Sequence, residues 1–307
     1  MARKRYSNID EVNTNKPFKD LRKWQKERKA KIKDLSYTMP QYAEKSPAYL
    51  LQNRTDTTIT WIGHSTFFIQ IGGLNIITDP VWAKRMGFSK RISEPGLTME
   101  ECPPIDVILL SHAHYDHLHM ASLRALPGHP KLLVPDGLAA MMKRKGFKDV
   151  AELSWWGSTQ VEGVAFHFVP AQHWTRRTLW DTNTSHWGGW VVQDTKRVET
   201  IYFAGDSGYF SGFKAIGEKF KIDIALMPIG AYEPEWFMKV SHMTPEEAIQ
   251  AYLEIGAKQF IPMHYGAFML ADDTPKEAID RLLNEWRRLQ IERVQLRVLE
   301  LGETANY

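Results

Sequence analysis

The chain has 307 residues, of which 43% are hydrophobic, and its formal net charge is +3. This composition supports a substantial core, and no apolar run reaches the roughly 18 residues that a transmembrane helix needs. The basic N-terminus lacks the apolar centre of a signal peptide, so the sequence predicts a cytoplasmic protein. A single cysteine, Cys102, excludes an intramolecular disulfide framework, and we expect it to be structural.

Positive charge is concentrated in an N-terminal arm. Residues 1–34 hold 12 Lys or Arg against 5 Asp or Glu, a net charge of +7, so the remainder carries −4 and is not predicted to bind nucleic acid. Residues 17–34 predict a helix with Phe18, Leu21 and Trp24 on one face. This helix either docks on the body or rests on an anionic lipid surface. We predict no chemistry for any residue of the arm.

Strand signals begin after an irregular lead-in that ends at residue 56. Residues 57–62 and 66–71 are rich in β-branched and aromatic side chains, and Gly72-Gly73 and a further strand signal, LNIITD, follow them. Two consecutive glycines suit a two-residue hairpin turn, because positive φ angles cost glycine little. By the same criteria, further strands are predicted at 106–110, 131–135, 164–169, 187–193, 200–204, 223–227 and 259–263.

Two late helices carry clear start signals. Thr244 and Thr274 are each followed by a proline and, three residues after the threonine, by a glutamate. Gly256 is expected to end the first of these helices. Interleaved strands and helices without repeats predict a layered α/β body. We therefore expect a basic arm with its lead-in over residues 1–56 and one α/β domain over residues 57–307.

Four metal-capable side chains fall within six residues directly after the predicted strand at 106–110. They are His112, His114, Asp116 and His117. Imidazoles crowded against a carboxylate are costly unless a cation ties them together, so this run predicts a metal site. The spacing of the side chains suggests two ions, which one stretch of chain cannot enclose alone.

Further ligands are expected where later strands end, at His173, Asp206 and His264. A lone histidine is weak as a signal, but together these residues complete two open sites. The most economical assignment gives His112, His114 and His173 to one metal and Asp116, His117 and His264 to the other, with Asp206 as the bridge.

The motif HAHYDH with its downstream ligands resembles the metallo-β-lactamase fold, an αββα sandwich whose ligand loops gather at one edge of two sheets. A narrower resemblance, to N-acyl-phosphatidylethanolamine-hydrolysing phospholipase D and its bacterial relatives, covers about residues 59–268. The segments that carry it include GHSTFFIQIGG, IITDPVW, QHWTRRTLWD, PIGAYEPEWFM and PMHYGAF. His119 departs from the pattern, because the family usually places an aspartate there; the change is expected to affect only the local helix start.

The resemblance implies a dinuclear phosphodiesterase that cleaves N-acyl-phosphatidylethanolamine or a related glycerophosphodiester. It implies two divalent metal ions, with Zn²⁺ expected and Mn²⁺ or Fe²⁺ as alternatives. Asp116 and Asp206 would orient the attacking water, and His242 would donate to a phosphoryl oxygen or protonate the leaving alcohol. The alternatives are a sugar-lactone or other ester hydrolase on the same metal site and a non-catalytic membrane-binding protein.

Supporting roles follow from the same resemblance. Asp79 is expected to hold the metal loop by hydrogen bonding, and His64 to orient a ligand. Arg176 and Arg177 either attract the phosphate or are simply solvated. Aromatic residues near the ligands either line an apolar channel or belong to the core, namely Trp155, Trp156, Trp174, Tyr232, Trp236 and Phe237. The expected partners are a phospholipid, the inner membrane surface through residues 1–34, and, left open, a second copy of the chain.

Overall fold

Two β-sheets face each other across a shared hydrophobic core in the computed structural model, which describes residues 4–14, 16–197 and 199–307. The described strands are β1 Thr58–Gly63, β2 Thr66–Ile71, β3 Leu74–Thr78, β4 Arg85–Met86, β5 Ser89–Lys90, β6 Ile105–Leu109, β7 Gly128–Pro135, β8 Val150–Leu153, β9 Ser158–Val161, β10 Val164–Val169, β11 Gly189–Asp194, β12 Glu199–Phe203, β13 Ile224–Pro228, β14 Gln259–Met263 and β15 Thr304–Asn306.

The first sheet has the order β15-β1-β2-β3-β6-β7-β8, and the second has the order β14-β13-β12-β11-β10-β9. Both sheets are mixed. In the first, β3, β6, β7 and β8 run parallel, whereas in the second β12, β13 and β14 do. The C-terminal ends of parallel neighbours meet at one edge of a sheet. The segments after β3 and β6, and those after β12 and β14, are brought to such edges.

Helices flank the two sheets. They are α1 Phe18–Ala30, α2 Pro47–Gln52, α3 Met120–Ala125, α4 Ala139–Arg144, α5 Gly212–Lys219, α6 Glu235–Met238, α7 Pro245–Ile255 and α8 Pro275–Arg288, with a 3₁₀ turn at Arg293–Gln295. None of the described helices has the length and apolar character needed to span a bilayer.

Side-chain alternation explains how one strand serves two layers. Phe67 and Ile69 of β2 lie in the core between the sheets, whereas Phe68 packs with α3 and α4 beneath the first sheet. Successive residues of a strand point to opposite faces, so a strand buried on both sides must be apolar at both sets of positions. On the second sheet, Phe260 of β14 packs edge-on against Trp286 of α8. The layer order is αββα, which confirms the predicted fold class.

Local signals in the sequence correspond closely to the structure. Gly72 and Gly73 both have positive φ angles in the turn between β2 and β3. Thr244 forms the expected capping box with Glu247, and Gly256 closes α7 in the left-handed conformation. Thr274 caps α8 through the backbone of Glu277 alone, because the Glu277 carboxylate accepts a hydrogen bond from Tyr232 instead. Five short strands, β4, β5, β8, β9 and β15, were not predicted.

The basic arm packs against the loop that leads into α8. Trp24 of α1 donates from Nε1 to the buried Asp272 carboxylate at 2.7 Å, and Lys33 contacts the same carboxylate at 2.7 Å. The Trp24 ring also stacks on Phe237 with centroids 4.9 Å apart. Thus α1 docks on the body through Trp24, as one of the two expectations had it, whereas Phe18 of the predicted face is 73% exposed. The helix is shorter than predicted and ends at Ala30; the boundary at residue 57 stays a prediction.

Candidate metal centre

The loop after β6 is held from two sides. The Asp79 carboxylate, at the end of β3, accepts from the Ser111 backbone N–H at 2.7 Å and from the Ser111 hydroxyl at 2.5 Å. On the other side, Arg177 donates to the carbonyls of Ala113 and Leu118 at 2.7 and 3.0 Å. Arg177 is therefore committed to positioning this loop, and neither sequence-based alternative, attracting the phosphate or being solvated, describes it.

Three histidine nitrogens converge on one side of the loop. His114 Nδ1 lies 2.9 Å from His112 Nε2 and 3.1 Å from His173 Nε2. Burial lowers the pKa of His114 to about 4 and that of His173 to about 3. These imidazoles are therefore neutral at pH 7, which is the form that binds a metal. Three such nitrogens cannot all satisfy one another, whereas a shared cation would satisfy them together.

A second group lies beside the first and contains carboxylates. His117 Nε2 is 3.4 Å from Asp116 Oδ2, and His264 Nε2 is 3.7 Å from the same oxygen. Burial disfavours the His117 cation, yet the surrounding carboxylates raise the pKa of His117 well above its usual value. Burial opposes the His264 cation in the same way, and Asp206 and Asp116 raise its pKa to about 9. This position therefore attracts positive charge.

Asp206 lies between the two groups. Its Oδ2 is 3.2 Å from His117 Nε2, 3.8 Å from His173 Nε2 and 3.9 Å from His112 Nε2, and its Oδ1 is 3.1 Å from His264 Nε2. A carboxylate whose oxygens face nitrogens of both groups has the geometry of a bridging ligand.

Several buried atoms in this centre make no hydrogen bond within the described part of the chain. They are His114 Nε2, His117 Nε2, Asp206 Oδ1, His242 Nδ1, and both ring nitrogens of His264. Buried polar atoms are rarely left unsatisfied, and a cluster of such atoms is typical of residues that bind a metal. The donor set of imidazoles and carboxylates suits divalent metals of the zinc type. The residues therefore suit the binding of divalent metal.

All seven residues predicted as ligands come together at this edge of the sandwich. His112 and His114 group with His173, Asp116, His117 and His264 group with His64, and Asp206 groups with His173 and His242. Asp79 bonds His117 Nδ1 at 2.7 Å, and His64 Nε2 lies 3.0 Å from Asp116 Oδ2, so both contact a predicted ligand as expected. His242 Nδ1 is 4.0 Å from Asp206 Oδ2. His119 caps α3 by accepting from the Ser122 backbone, in the place of the expected aspartate.

A cleft of about 520 Å³ opens beside this centre. His114 and His242 line it, and so do Leu21 and Trp24 of α1 together with Phe237. The sequence left a channel or the core as alternatives for the aromatic residues, and the structure divides them. Trp174 and Phe237 line the cleft, Tyr232 is fully buried, Trp155 packs at a tilt against His186, and Trp156 and Trp236 are partly exposed.

Sequence reasoning missed two contacts that hold His173. The Ser241 carbonyl accepts from His173 Nδ1 at 2.9 Å, which leaves Nε2 free to face the other ligands. The side chain of Asn8 bonds both backbone groups of His173. No motif marks either contact, because Asn8 lies 165 residues away along the chain and Ser241 contributes only its backbone.

Comparison with known proteins agrees with this geometry. A family model described as "Beta-lactamase superfamily domain" matches residues 74–265. The chain is 37% identical over 228 residues to "N-acyl-phosphatidylethanolamine-hydrolyzing phospholipase D 1" of Caenorhabditis elegans, a match that covers 68% of this chain and 64% of that protein. The chain thus spans somewhat less than two thirds of this relative.

A second relative is matched over most of its length. The "UPF0173 metal-dependent hydrolase" of Myxococcus xanthus is 32% identical over 252 residues, which cover 81% of this chain and 82% of that protein. The fold is shared with the metallo-beta-lactamase fold protein YhfI of Bacillus subtilis, at a TM-score of 0.57 and 15% identity, over 82% of this chain and all of that one. The chain therefore belongs to the beta-lactamase superfamily.

Proposed function

We propose that this protein is a phosphodiesterase of the phospholipase D type, which cleaves N-acyl-phosphatidylethanolamine or a related glycerophosphodiester. The seven clustered residues would hold two divalent metal ions, with zinc expected. Ions of this kind supply a hydroxide nucleophile at neutral pH and neutralise phosphoryl oxygens. The nematode relative named as a phospholipase D supports the substrate class.

The observation that carries the proposal is the composition of the cleft. Its walls combine the apolar residues Leu21, Trp174 and Phe237 with the basic residues Lys16 and Arg176. Its volume lies within the roughly 300 to 1,000 Å³ typical of small-molecule sites. A lipid phosphodiester has the same two features, an apolar chain and an anionic group. A polar sugar lactone would leave these apolar walls without a partner.

The protein's own residues would orient the attacking water and donate a hydrogen bond to the substrate. Asp116 is held by His64, and burial opposes its ionisation while His117, His264 and His64 hold its pKa well below the usual range. It is therefore an anion that can orient a water molecule. Burial lowers the pKa of His242 to about 3, so this imidazole is neutral at pH 7. Its ring N–H group can donate a hydrogen bond to a phosphoryl oxygen without carrying a charge.

Product analysis tests the reaction. Purified protein, supplied with Zn²⁺, is incubated with N-acyl-phosphatidylethanolamine in detergent micelles and, separately, with sugar lactones. We expect N-acylethanolamine and phosphatidic acid to form, and the reaction to stop on chelation and resume with metal. Lactone opening without phosphodiester cleavage would contradict the proposal. Vesicle binding without either reaction would indicate a non-catalytic binder.

A matched pair of α1 variants tests the cleft. Leu21→Glu places a charge in the apolar lining, whereas Gln25→Glu places the same charge on an exposed position of the same helix. We expect L21E to raise KM for the long-chain substrate about tenfold or more while it leaves hydrolysis of soluble bis(p-nitrophenyl) phosphate unchanged. Q25E should alter neither. If both substitutions changed KM for the lipid equally, the cleft would not be the site that binds the lipid's acyl chain.

A further inference from the structure

The N-terminal segment contains a side chain that reaches the metal centre without facing it. Asn8 donates from Nδ2 to the His173 carbonyl at 3.0 Å, and its Oδ1 accepts from the His173 backbone N–H at 3.0 Å. The same oxygen accepts from Trp187 Nε1 at 3.0 Å. One amide side chain therefore satisfies both backbone groups of a predicted ligand and holds a neighbouring indole.

The position of His173 explains why these contacts matter. Strand β10 ends at Val169, and beyond it Gln172 pairs with Gly208 on one side of the chain. Adjacent residues of an extended chain direct their backbone groups to opposite sides, so those of His173 point away from that pairing. The Asn8 amide takes the place of a peptide group there. Without it, the N–H and C=O of a fully buried residue would lack partners.

The amide group is required, and not merely a polar side chain. The His173 and Trp187 N–H groups can only donate, which places the Asn8 oxygen toward them and its nitrogen toward the His173 carbonyl. An aspartate could keep the two accepted bonds, but it would set a second lone-pair oxygen against that carbonyl. A serine hydroxyl at this position could either accept from the N–H groups or donate to the His173 carbonyl, but it could not span both contacts. Asparagine alone of these residues meets both needs.

Other contacts hold the segment in place independently of His173. The Tyr6 backbone N–H donates to the Asn183 carbonyl at 2.9 Å, and the Tyr6 ring stacks on His186 with centroids 4.4 Å apart. The Asp10 carboxylate accepts from the backbone N–H and the hydroxyl of Ser211 at 2.9 and 2.5 Å. Asn8 lies between these two anchors, so its side chain is presented to His173 by a segment fixed at both ends.

We propose that Asn8 is a positioning residue for the metal centre, which fixes the backbone of His173 and so aims its Nε2 at the first metal position. The Ser241 carbonyl fixes the ring through Nδ1, and Asn8 fixes the peptide, so rotation and translation of the ligand are both restrained. Partners of this kind change metal affinity by about 10- to 100-fold when removed. This inference rests on the proposed metal role of His173, and it makes the arm part of the site.

Cobalt binding tests the inference without reference to any substrate. Full-length protein is stripped of metal and titrated with Co²⁺, whose visible absorption reports the number and geometry of its ligands. We expect Asn8→Ala to weaken one of the two Co²⁺ equivalents about 10- to 100-fold and to change the absorption of that equivalent. Asn8→Asp should behave similarly, because it cannot donate to the His173 carbonyl. Asp10→Asn, which loosens the neighbouring anchor, should leave Co²⁺ binding close to wild type.

Hydrogen exchange provides a second readout that needs no metal. We expect the peptide that contains His173 to exchange at least tenfold faster in Asn8→Ala than in Asp10→Asn, with peptides of the core unchanged in both. Unchanged exchange together with unchanged Co²⁺ affinity in Asn8→Ala would overturn the proposal. An equal loss of Co²⁺ in Asp10→Asn would show that the segment only covers the site. If the wild type bound no Co²⁺, the proposed metal centre would be wrong. The exchange data would still show whether Asn8 holds the backbone of His173.

Discussion

Asp79 and His117 are joined by a hydrogen bond of 2.7 Å between Oδ2 and Nδ1, and both side chains are fully buried. The bond turns the other ring nitrogen of His117 toward Asp206. It also ties the end of β3 to the loop that follows β6. The orientation of one predicted ligand is therefore set by a residue 38 positions earlier in the chain, across two parallel strands.

Asp79→Asn should weaken metal binding at the His117 position. The amide keeps the size of the carboxylate but loses its charge. One carboxylate oxygen is replaced by an NH₂ group, which can only donate, and this disturbs the hydrogen bonds to Ser111 and His117. We expect affinity for one Zn²⁺ to fall about 10- to 100-fold with little change in the other. Competition with a zinc-chelating dye measures both constants. Wild-type Zn²⁺ affinity in the variant would show that Asp79 holds the loop after β6 but does not influence metal binding.

Asp206→Ala should lose both metals or nearly all activity, because its oxygens face nitrogens of both histidine groups. Elemental analysis of wild-type protein, purified without chelator, should approach two transition-metal ions per chain. Asp149→Ala, at an exposed carboxylate, is the matched control and should retain both ions. Full metal content and full rate in Asp206→Ala would rule out the bridging assignment.

His242→Ala should reduce turnover while leaving metal content unchanged. Loss of one donor to developing charge typically costs about 2.7 to 4 kcal/mol, so we expect kcat to fall about 10²- to 10³-fold. The exposed residue His129 provides a control, since His129→Ala should match the wild type. Because His242 Nδ1 lies only 4.0 Å from the Asp206 carboxylate, the metal content must be measured in parallel. A variant that lost metal would identify His242 as a ligand.

The exposed face of α1 should bind anionic membranes. Leu21 and Trp24 face the body, which leaves a row of basic residues on the opposite side of the helix, at Lys19, Arg22, Lys26 and Lys29. Each basic residue near an anionic surface contributes about 1 kcal/mol. Replacing all four with Gln should weaken sedimentation with phosphatidylserine vesicles at least 100-fold. Unchanged binding would mean that α1 only docks on the body. Substitution is preferable to truncation, which would also remove Asn8.

Cys102 should be inert in the folded protein. Burial raises the pKa of its thiol to about 12, and Sγ donates to the Thr98 carbonyl. The reactive thiolate is therefore almost absent at pH 8, where a free cysteine is partly ionised. We expect reaction with a thiol reagent to be at least 100-fold slower in native protein than in protein unfolded by guanidinium. Comparable rates in the two states would place the thiol at the surface.

The sequence by itself determined the features that depend on neighbours along the chain. The hairpin at Gly72-Gly73 and the capping box of Thr244 with Glu247 each involve a few consecutive residues, so local conformational preference was enough to predict them. The ligand run after β6 was recognisable for the same reason, since its metal-capable residues are adjacent. The downstream candidates His173, Asp206 and His264 were found because each follows a strand that hydrophobic patterning predicts.

Only the tertiary structure decided how distant residues share the site. Whether His173 and His117 face one carboxylate depends on how the two sheets are stacked, and no local pattern contains that information. The clamp of Arg177 on the metal loop and the amide bonds of Asn8 join segments 59 or more residues apart. A hydrogen bond requires both partners to lie within about 3 Å, and the chain reaches that separation only after the core has formed. For this reason the sequence predicted no chemistry for the arm, whereas docking of the arm brings Asn8 to the backbone of His173.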